Sequence, residues 1–355
     1  MGDVLSSYGW GDRVAALYAA AGQPGAVPGR VARADRGSCV VVTEAGAVRA
    51  SVHGTLSRRA GLVGAPATGD WVAVAPEPGA AVVSVLPRWS AISRKDPDDR
   101  VTAEQVLAAN VDVVVVVSSL DRPVSPNRIE RMLAAAWESG ASPTVVLTKA
   151  DLAGDLPEAV AAAEAAAGVV PVLATSSVTG EGLDELRGRA GPGRTLVLLG
   201  PSGAGKSTIV NHLLGEDVQA TGPVRGGDAR GRHTTTSRQL VPLPGGGVLL
   251  DTPGLRSLPL WDAEAGVAAT FGDVEALAAG CRFGDCRHEG EPGCAVQAAI
   301  DGGTLDARRL ASWSKLRREL DALAMRHDEQ ATRAAGRRMG RTIKEVYRLK
   351  GPRPR

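Results

Sequence analysis

The sequence predicts a multidomain protein: an N-terminal β barrel of the OB-fold type, a central doubly wound α/β P-loop domain, and a C-terminal helical zinc-binding domain. Three observations predict it. Between Gly29 and Ser93 lie the short β-branched runs GRVARA, SCVVVT, AVRASVHG, DWVAVAP and AVVSVLP, punctuated by Gly, Pro and Asp, and strands at that spacing suit a small barrel. From Val101 to Leu260 continuous apolar runs alternate with Ala-rich helical stretches, the pattern of a parallel sheet buried on both faces. Cys281, Cys286, His288 and Cys294 then crowd into fourteen residues. A chain of 355 residues also exceeds the roughly 250 to 300 residues at which single cores stop growing. The boundaries read as an N-terminal extension over 1–28, the barrel over 29–96, the α/β domain over 97–262, the zinc-binding domain over 263–325 and a basic tail over 326–355.

The extension, MGDVLSSYGWGDRVAALYAA at its start, has acidic residues and no basic-then-apolar layout, and the chain has no run of 18 apolar residues. A cytoplasmic protein without a membrane partner is expected. In a reducing compartment clustered cysteines point to metal more than to disulfides, and the lone Cys39 reads as a small core residue. Many OB-folds bind nucleic acid, but fold alone does not establish that. In this barrel Trp71 and Trp89 are the only aromatic residues available to stack bases. Arg58, Arg59, Arg88, Arg94 and Lys95 suit phosphate contact, and a structural barrel with a solvated basic face is the alternative.

In the α/β domain the runs VDVVVVVSS, PTVVLTKAD and VVPVLATSS are separated by the helical stretches RIERMLAAAWESG and EAVAAAEAAAG. Ligands of such sheets sit at the C-terminal ends of the strands, so the residues following each run carry the most weight. The run TLVLLG leads into GPSGAGKS over 200–207 and then a helix, the strand, loop and helix context a phosphate loop requires. Gly200, Gly203 and Gly205 would let backbone N–H groups curl around phosphates, with Pro201, Ser202 and Ala204 as the other nucleotide-binding residues of the loop and Thr208 in the first helical turn. Lys206 would reach the β and γ phosphates, and Ser207 would ligate Mg²⁺.

The phosphate loop does not choose the base. Thr148, Lys149, Ala150 and Asp151 end one strand, and a carboxylate at that place accepts two hydrogen bonds from guanine's N1–H and amine, a donor pair adenine lacks. Ser176 and Ser177, in the loop ATSS, would cap the base from its other side. Downstream, VLLDTPG places Asp251 at a strand end to hold Mg²⁺ and Gly254 to offer its N–H to the γ-phosphate. GRHTTT, over 231–236, reads as a switch segment; Thr235 is the preferred magnesium ligand, with Thr234 and Thr236 as alternatives.

The order is unusual, because the base-reading pair precedes the phosphate loop. That order, between a barrel and a cysteine cluster, resembles the RsgA/YjeQ family of circularly permuted GTPases dependent on the small ribosomal subunit. The stretches ATGDWVAV, LPRWSAISR, AANVDVVVVVSSL, SPNRIERML, GRHTTT and DTPGLR share the likeness. The resemblance implies a GTP hydrolase that acts in late maturation of the small subunit and is stimulated by it, with barrel and zinc domain gripping rRNA. Leu255 departs from the many GTPases that place a glutamine there to orient the attacking water. His233, or a group supplied by the ribosome, is expected to take that role, and simple packing or phosphate binding by His233 is the alternative. An ATP-dependent kinase would leave TKAD, ATSS and DTPG unexplained together. A scaffold without turnover would fit Leu255.

Cys281-x₄-Cys286-x-His288-x₅-Cys294 supplies three thiolates and an imidazole, a closed tetrahedral set for one structural zinc, with redox cysteines or an iron–sulfur cluster as alternatives. The family likeness agrees with zinc. A helix is then expected over 305–323 from the spacing of Leu310, Trp313, Leu316 and Leu320. Residues 305–355 hold fifteen Lys/Arg and six Asp/Glu, net +9 in a chain whose total is +2, so the tail either orders on RNA phosphate or is simply solvated. Nothing in the sequence signals dimerisation, and a monomer is expected.

Overall fold

The computed structural model describes residues 3–52, 64–76, 78–95, 104–215, 238–251 and 263–325. Five strands close the predicted barrel: β1 (Val27–Asp35), β2 (Ser38–Thr43), β3 (Gly46–Val52), β4 (Trp71–Ala75) and β5 (Ala81–Val85), in the order β1-β2-β3-β5-β4. β1 pairs antiparallel with both β2 and β4, and a parallel β3–β5 pairing completes the circle. Alternation turns Val31, Cys39, Val41, Val72, Val74 and Val82 inward as the barrel core, and Cys39 is the buried core residue its position predicts.

The segment read as an extension is helical. α1 (Asp3–Ser7) and α2 (Asp12–Ala21) bring Leu5 and Val14 onto Trp71, and the Trp10 ring meets Trp71 edge-on at 5.4 Å. Trp71 is only 1% exposed, so it is a packing residue and not a platform for bases. Trp89 is half-buried under the Arg13 guanidinium, and its indole N–H donates to Asp112 Oδ1 at 3.1 Å. Arg88 is also committed internally, donating from Nε and Nη2 to the buried Asp70 carboxylate at 2.7 and 2.6 Å. Burial pushes the Asp70 carboxyl up, and the Arg88 bonds oppose that. Arg94 and Lys95 stand in β6 (Ala91–Lys95), which pairs with β7 (Glu104–Ala109) in a separate ribbon. Arg58 and Arg59 lie outside the described residues.

The central sheet has six strands in the order β10 (Val172–Ala174), β9 (Ser142–Thr148), β8 (Val113–Ser119), β11 (Thr195–Leu199), β13 (Val248–Asp251) and β12 (Gln239–Pro242). All neighbours are parallel except β12 with β13. The continuous valines of β8 are 0–7% exposed because helices cover both faces, and each contributes roughly 1.5 to 3 kcal/mol by leaving water. α3 (Pro126–Glu138) and α4 (Leu156–Ala167) cover one face; α5 (Leu183–Arg189) and α6 (Lys206–Leu214) cover the other.

The C-terminal helices α7 (Glu264–Thr270), α8 (Gly272–Ala278), α9 (Ala295–Asp301) and α10, over 307–325, dock on the α3 face. A Cβ on Gly266 would stand 2.0 Å from the Ala134 carbonyl oxygen, so the α3–α7 crossing admits only glycine there. The Gly266 N–H donates to Glu138 Oε2 at 2.9 Å. Arg309, in α10, donates to Asp273 at 2.9 Å, to the Thr270 carbonyl at 2.7 Å and to the fully buried Glu130 of α3 at 3.2 Å. Leu316 and Leu320 bury the face their spacing predicts. Among the described residues, no helix is long and apolar enough to cross a membrane.

Barrel and sheet are joined by Arg30, which is 1% exposed. From β1 it donates to the carbonyls of Tyr8, Gly69 (3.4 Å) and Asn110 (3.3 Å) and to Thr195 Oγ1 at 2.7 Å, at the start of β11. Burial lowers its pKa to about 10, opposed by Asp112 and Asp70, so the group stays charged at neutral pH. Removing it strands several buried acceptors at about 1–3 kcal/mol each. Arg30→Met is therefore expected to destabilise the protein by about 3 kcal/mol or more, read from urea unfolding followed by tryptophan fluorescence. Arg30→Lys is expected to recover only part of this, since one ammonium cannot span the same acceptors.

Candidate nucleotide site and metal centre

β11 ends in the glycine-rich turn 200–205, which leads directly into α6. A Cβ on Gly200 would lie 2.5 Å from the Val117 carbonyl oxygen of β8, which explains the glycine where the two central strands are in close contact. Gly205 takes φ 86°, the left-handed conformation that starts α6 with its N–H groups facing the loop. Lys206 Nζ donates to the Gly200 and Pro201 carbonyls, both at 2.7 Å, which holds the ammonium within the curve of the loop. Ser207 and Thr208 follow in the first turn of α6.

The end of β9 touches this loop. Thr148 Oγ1 donates to the Ala204 carbonyl at 2.7 Å, so the residue expected at the base braces the end of β9 against the loop 200–205. Lys149 turns the chain with φ 59°, and Ala150 N–H donates to the Thr175 carbonyl at 3.0 Å. The short 3₁₀ turn Ala150–Leu152 then presents Asp151. Ser176 Oγ donates to Asp151 Oδ1 at 2.5 Å and accepts the N–H groups of Val178 and Thr179. Ser177 is exposed beside it. The serine loop thus aims the carboxylate.

Sequence reading missed Asp121, in the loop after β8. Its Oδ2 accepts Lys149 Nζ at 2.5 Å and its Oδ1 accepts Ser119 Oγ at 2.6 Å. The hydrogen bond from Lys149 holds its pKa down to about 2. Any stability from this depressed pKa is present above the ordinary aspartate value and is lost as pH falls toward about 2. At neutral pH the pair is therefore ionised. No short motif marks Asp121, because its partner is 28 residues away.

Asp251 closes β13, the neighbour of β11, next to the phosphate loop. On the other side, a shallow depression is lined by Ser119, Arg122, Ser125, Arg128 and Ser202 among others. Thr234, Thr235, Thr236, His233, Gly254 and Leu255 lie outside the described residues.

In the C-terminal domain the donor atoms of Cys281, Cys286, His288 and Cys294 all lie within 4.8 Å of one another. Cys281 and Cys294 Sγ are 3.9 Å apart, and His288 Nδ1 is 3.6 and 3.4 Å from them. Metal bonds of about 2.3 Å to sulfur and 2.0–2.1 Å to nitrogen put tetrahedral ligand atoms about 3.6 to 3.8 Å apart, so the donors fit such an ion. His288 adopts φ 62°, uncommon for a side chain of that size, and turns its ring inward against Trp313 at 5.5 Å.

The model described as RsgA GTPase matches residues 85–261. The small ribosomal subunit biogenesis GTPase RsgA of Streptomyces avermitilis is 52% identical over 328 residues, 91% of this chain and 88% of its own length. The protein of the same name from Streptomyces coelicolor is 51% identical, covering 92% and 89%. The chain belongs to the RsgA GTPase family. GTP hydrolysis, the family's activity, is accordingly its activity. Among solved structures, YjeQ from Thermotoga maritima superposes with a TM-score of 0.63 at 26% identity, over 83% of this chain and 98% of that one. YloQ, a circularly permuted GTPase, shares the fold with a TM-score of 0.62. In this member of the RsgA family the strands β8 to β10 fill one half of the sheet and precede in sequence β11, which leads into the glycine-rich loop.

Thr148→Val keeps the side-chain shape but leaves the Ala204 carbonyl unpaired. It is expected to weaken GDP and GTP binding alike by about tenfold, measured calorimetrically, because a lost hydrogen bond of this kind is worth about 1 to 1.5 kcal/mol.

Proposed function

We propose that the chain is a GTP-hydrolysing maturation factor of the small ribosomal subunit, working in the cytoplasm as a monomer and gripping rRNA. One observation carries the catalytic half. Residues far apart in the chain, Asp151 with Ser176, the loop 200–207 and Asp251, meet at the C-terminal edge of one sheet, and Thr148 ties two of them together. The ribosomal half is supported by the names of the relatives at 51 and 52% identity.

In this reading Asp151 accepts the guanine N1–H and amine while Lys149, held by Asp121, covers the base with its alkyl stem; Ala150 and Ser177 border the base. The backbone of Gly200, Pro201, Ser202, Gly203, Ala204 and Gly205 encloses the β-phosphate, and Thr208 stands behind it. On binding, Lys206 exchanges its two carbonyl partners for phosphate oxygens. Ser207, Asp251 and Thr235 would hold Mg²⁺, which when bound offsets the phosphate charge. Gly254 donates its N–H to the γ-phosphate, and His233 or a ribosomal group orients the attacking water in the absence of a glutamine at Leu255. Cys281, Cys286, His288 and Cys294 would hold one structural zinc: all donors come from protein, and no ligand position is left open for chemistry. The basic tail and barrel contact rRNA phosphates.

GTP hydrolysis by the purified chain, with and without small ribosomal subunits at two salt concentrations, tests this. GTP-selective turnover that is slow alone, rises with subunits and loses that rise at high salt is the expected result. No change with subunits would sink the ribosomal assignment and leave the GTPase intact. Asp151→Asn replaces an acceptor with a donor, so the variant is expected to lose GTP affinity by about tenfold or more while gaining binding of xanthosine triphosphate, whose ring carries a carbonyl where guanine has its amine. Cys294→Ser is expected to lower the bound zinc, measured by metal analysis, well below the roughly one per chain of the parent, with loss of cooperative unfolding in the C-terminal helices.

A further inference from the structure

Two carboxylates stand within reach of the Lys149 ammonium. Lys149 takes φ 59° at the start of the short turn Ala150–Leu152, and the Leu152 N–H closes on the Lys149 carbonyl at 2.9 Å. Asp151 is its next-but-one neighbour in that turn, so their Cα atoms are at most about 7 Å apart, a span that a lysine side chain covers. Asp151 is exposed, forms no ion pair among the described residues and accepts one hydrogen bond there, from Ser176 on Oδ1. An open carboxylate beside a lysine is a ready partner for it. Lys149 nevertheless turns to the other carboxylate, donating to Asp121 Oδ2 at 2.5 Å.

The sheet puts Asp121 where it can compete. Ser119 of β8 stands opposite Thr148 of β9, and the ladder runs one residue further, with the Leu120 N–H donating to the Thr148 carbonyl at 2.9 Å. Asp121 follows at once and so comes alongside Lys149. Its Oδ1 is held by the hydroxyl of the buried Ser119 at 2.6 Å and by Arg122 Nε at 3.3 Å, which fixes the carboxylate independently of the lysine. At Asp151 one acceptor site is already taken by Ser176, and the sites that remain have to receive both the N1–H and the amine of guanine. An ammonium seated there would have to be displaced before the base could bind, and that displacement subtracts from affinity. We propose that Asp121 is a positioning residue that sets base specificity: it sequesters the Lys149 ammonium and thereby keeps the Asp151 carboxylate open to guanine. The inference rests on the nucleotide-site reading above and adds to it the regulation of its base-reading carboxylate. The same bond also extends the lysine stem, but apolar cover from a stem does not tell one base from another, whereas a free carboxylate does.

GDP affinities of three full-length proteins, measured calorimetrically at one salt concentration, test it: Asp121→Ala, Lys149→Met, and the two substitutions combined. Methionine keeps an apolar stem and removes the ammonium. Asp121→Ala is expected to weaken GDP binding about fivefold, the scale of a half-exposed ion pair moved from one carboxylate to the other. Adding Lys149→Met is expected to bring the affinity back to within about twofold of the Lys149→Met protein, because no ammonium is then left to occupy Asp151. A loop merely damaged by loss of Asp121 would not be repaired by a change at position 149. Wild-type GDP affinity in Asp121→Ala overturns the inference, and so does a doubly substituted protein that binds GDP no more tightly than Asp121→Ala. Asp151→Asn is the control for the site itself: if it keeps wild-type GDP affinity, the base-reading assignment fails and Asp121 with it, an outcome distinct from failure at Asp121 alone, in which Asp151→Asn still loses GDP.

Discussion

A guanidinium from the barrel, Arg30, meets acceptors from the N-terminal helices, from the barrel loop at Gly69, from the end of the β6–β7 ribbon at Asn110, and from the first residue of β11. Desolvating a cation is expensive unless its donors are satisfied, and no single one of these segments supplies enough acceptors. The charge can be buried only when barrel, ribbon and sheet are assembled together, which makes Arg30 a condition on the whole N-terminal arrangement. The Trp71 ring lies under it, with Arg30 Cζ 5.1 Å from the ring centroid, so the helices that cover Trp71 belong to the same condition.

The place of this junction matters for the permutation. β8, where the chain enters the sheet, and β11, where it re-enters to reach the phosphate loop, are neighbouring central strands. Asp112, just before β8, accepts the Thr195 N–H at 2.8 Å and donates its own N–H to the Thr195 carbonyl at 2.9 Å. Arg30 and Trp89 close over that pair from the barrel side. The early strands β8 to β10 fill one half of the sheet and the later strands β11 to β13 fill the other. The seam between halves is clamped at its N-terminal end by the barrel and at its C-terminal end by Gly200 against Val117. The chain joins the two halves only through the stretch that carries α5 (Leu183–Arg189), and the barrel's contacts at Thr195 and Asp112 hold the seam from outside it.

What was legible in the sequence was what short spacing encodes. A phosphate loop needs its glycines and lysine within eight residues of each other, and a tetrahedral metal loop needs its donors close together, so both could be located before any coordinates. The barrel was legible from β-branched runs, and the parallel sheet from valines buried on both faces. Illegible were the contacts that cross the chain: Arg30 to Thr195 spans 165 residues, Arg309 to Glu130 spans 179 and Thr148 to Ala204 spans 56. For the same reason Trp71 read as a candidate surface aromatic. Its neighbours in sequence are a barrel strand, while the residues that bury it, Leu5, Trp10 and Val14, stand about sixty residues upstream.

The helix α3 brings these long-range contacts to bear on chemistry. Its first turn carries Ser125 and Arg128 beside the phosphate loop, its middle carries Glu130 into the Arg308 and Arg309 guanidiniums, and its last turn carries Glu138 to the Gly266 N–H. Glu130 is fully buried, and one of its oxygens has no partner, so its charge is held by the two arginines of α10 alone. Separating α10 from α3 would leave that carboxylate buried and unpaired, a cost of several kcal/mol. The C-terminal domain, with its Cys3His cluster, is thus docked on α3, and the Gly266 crossing leaves no slack for α7 to slide. A displacement of the segment that follows Asp251 has to pass into α7 and then into α3. Tight packing makes that transfer a shift between discrete arrangements and not a gradual give. Through α3, a movement in the C-terminal domain is also felt beside the loop 200–205, so the transfer runs in both directions.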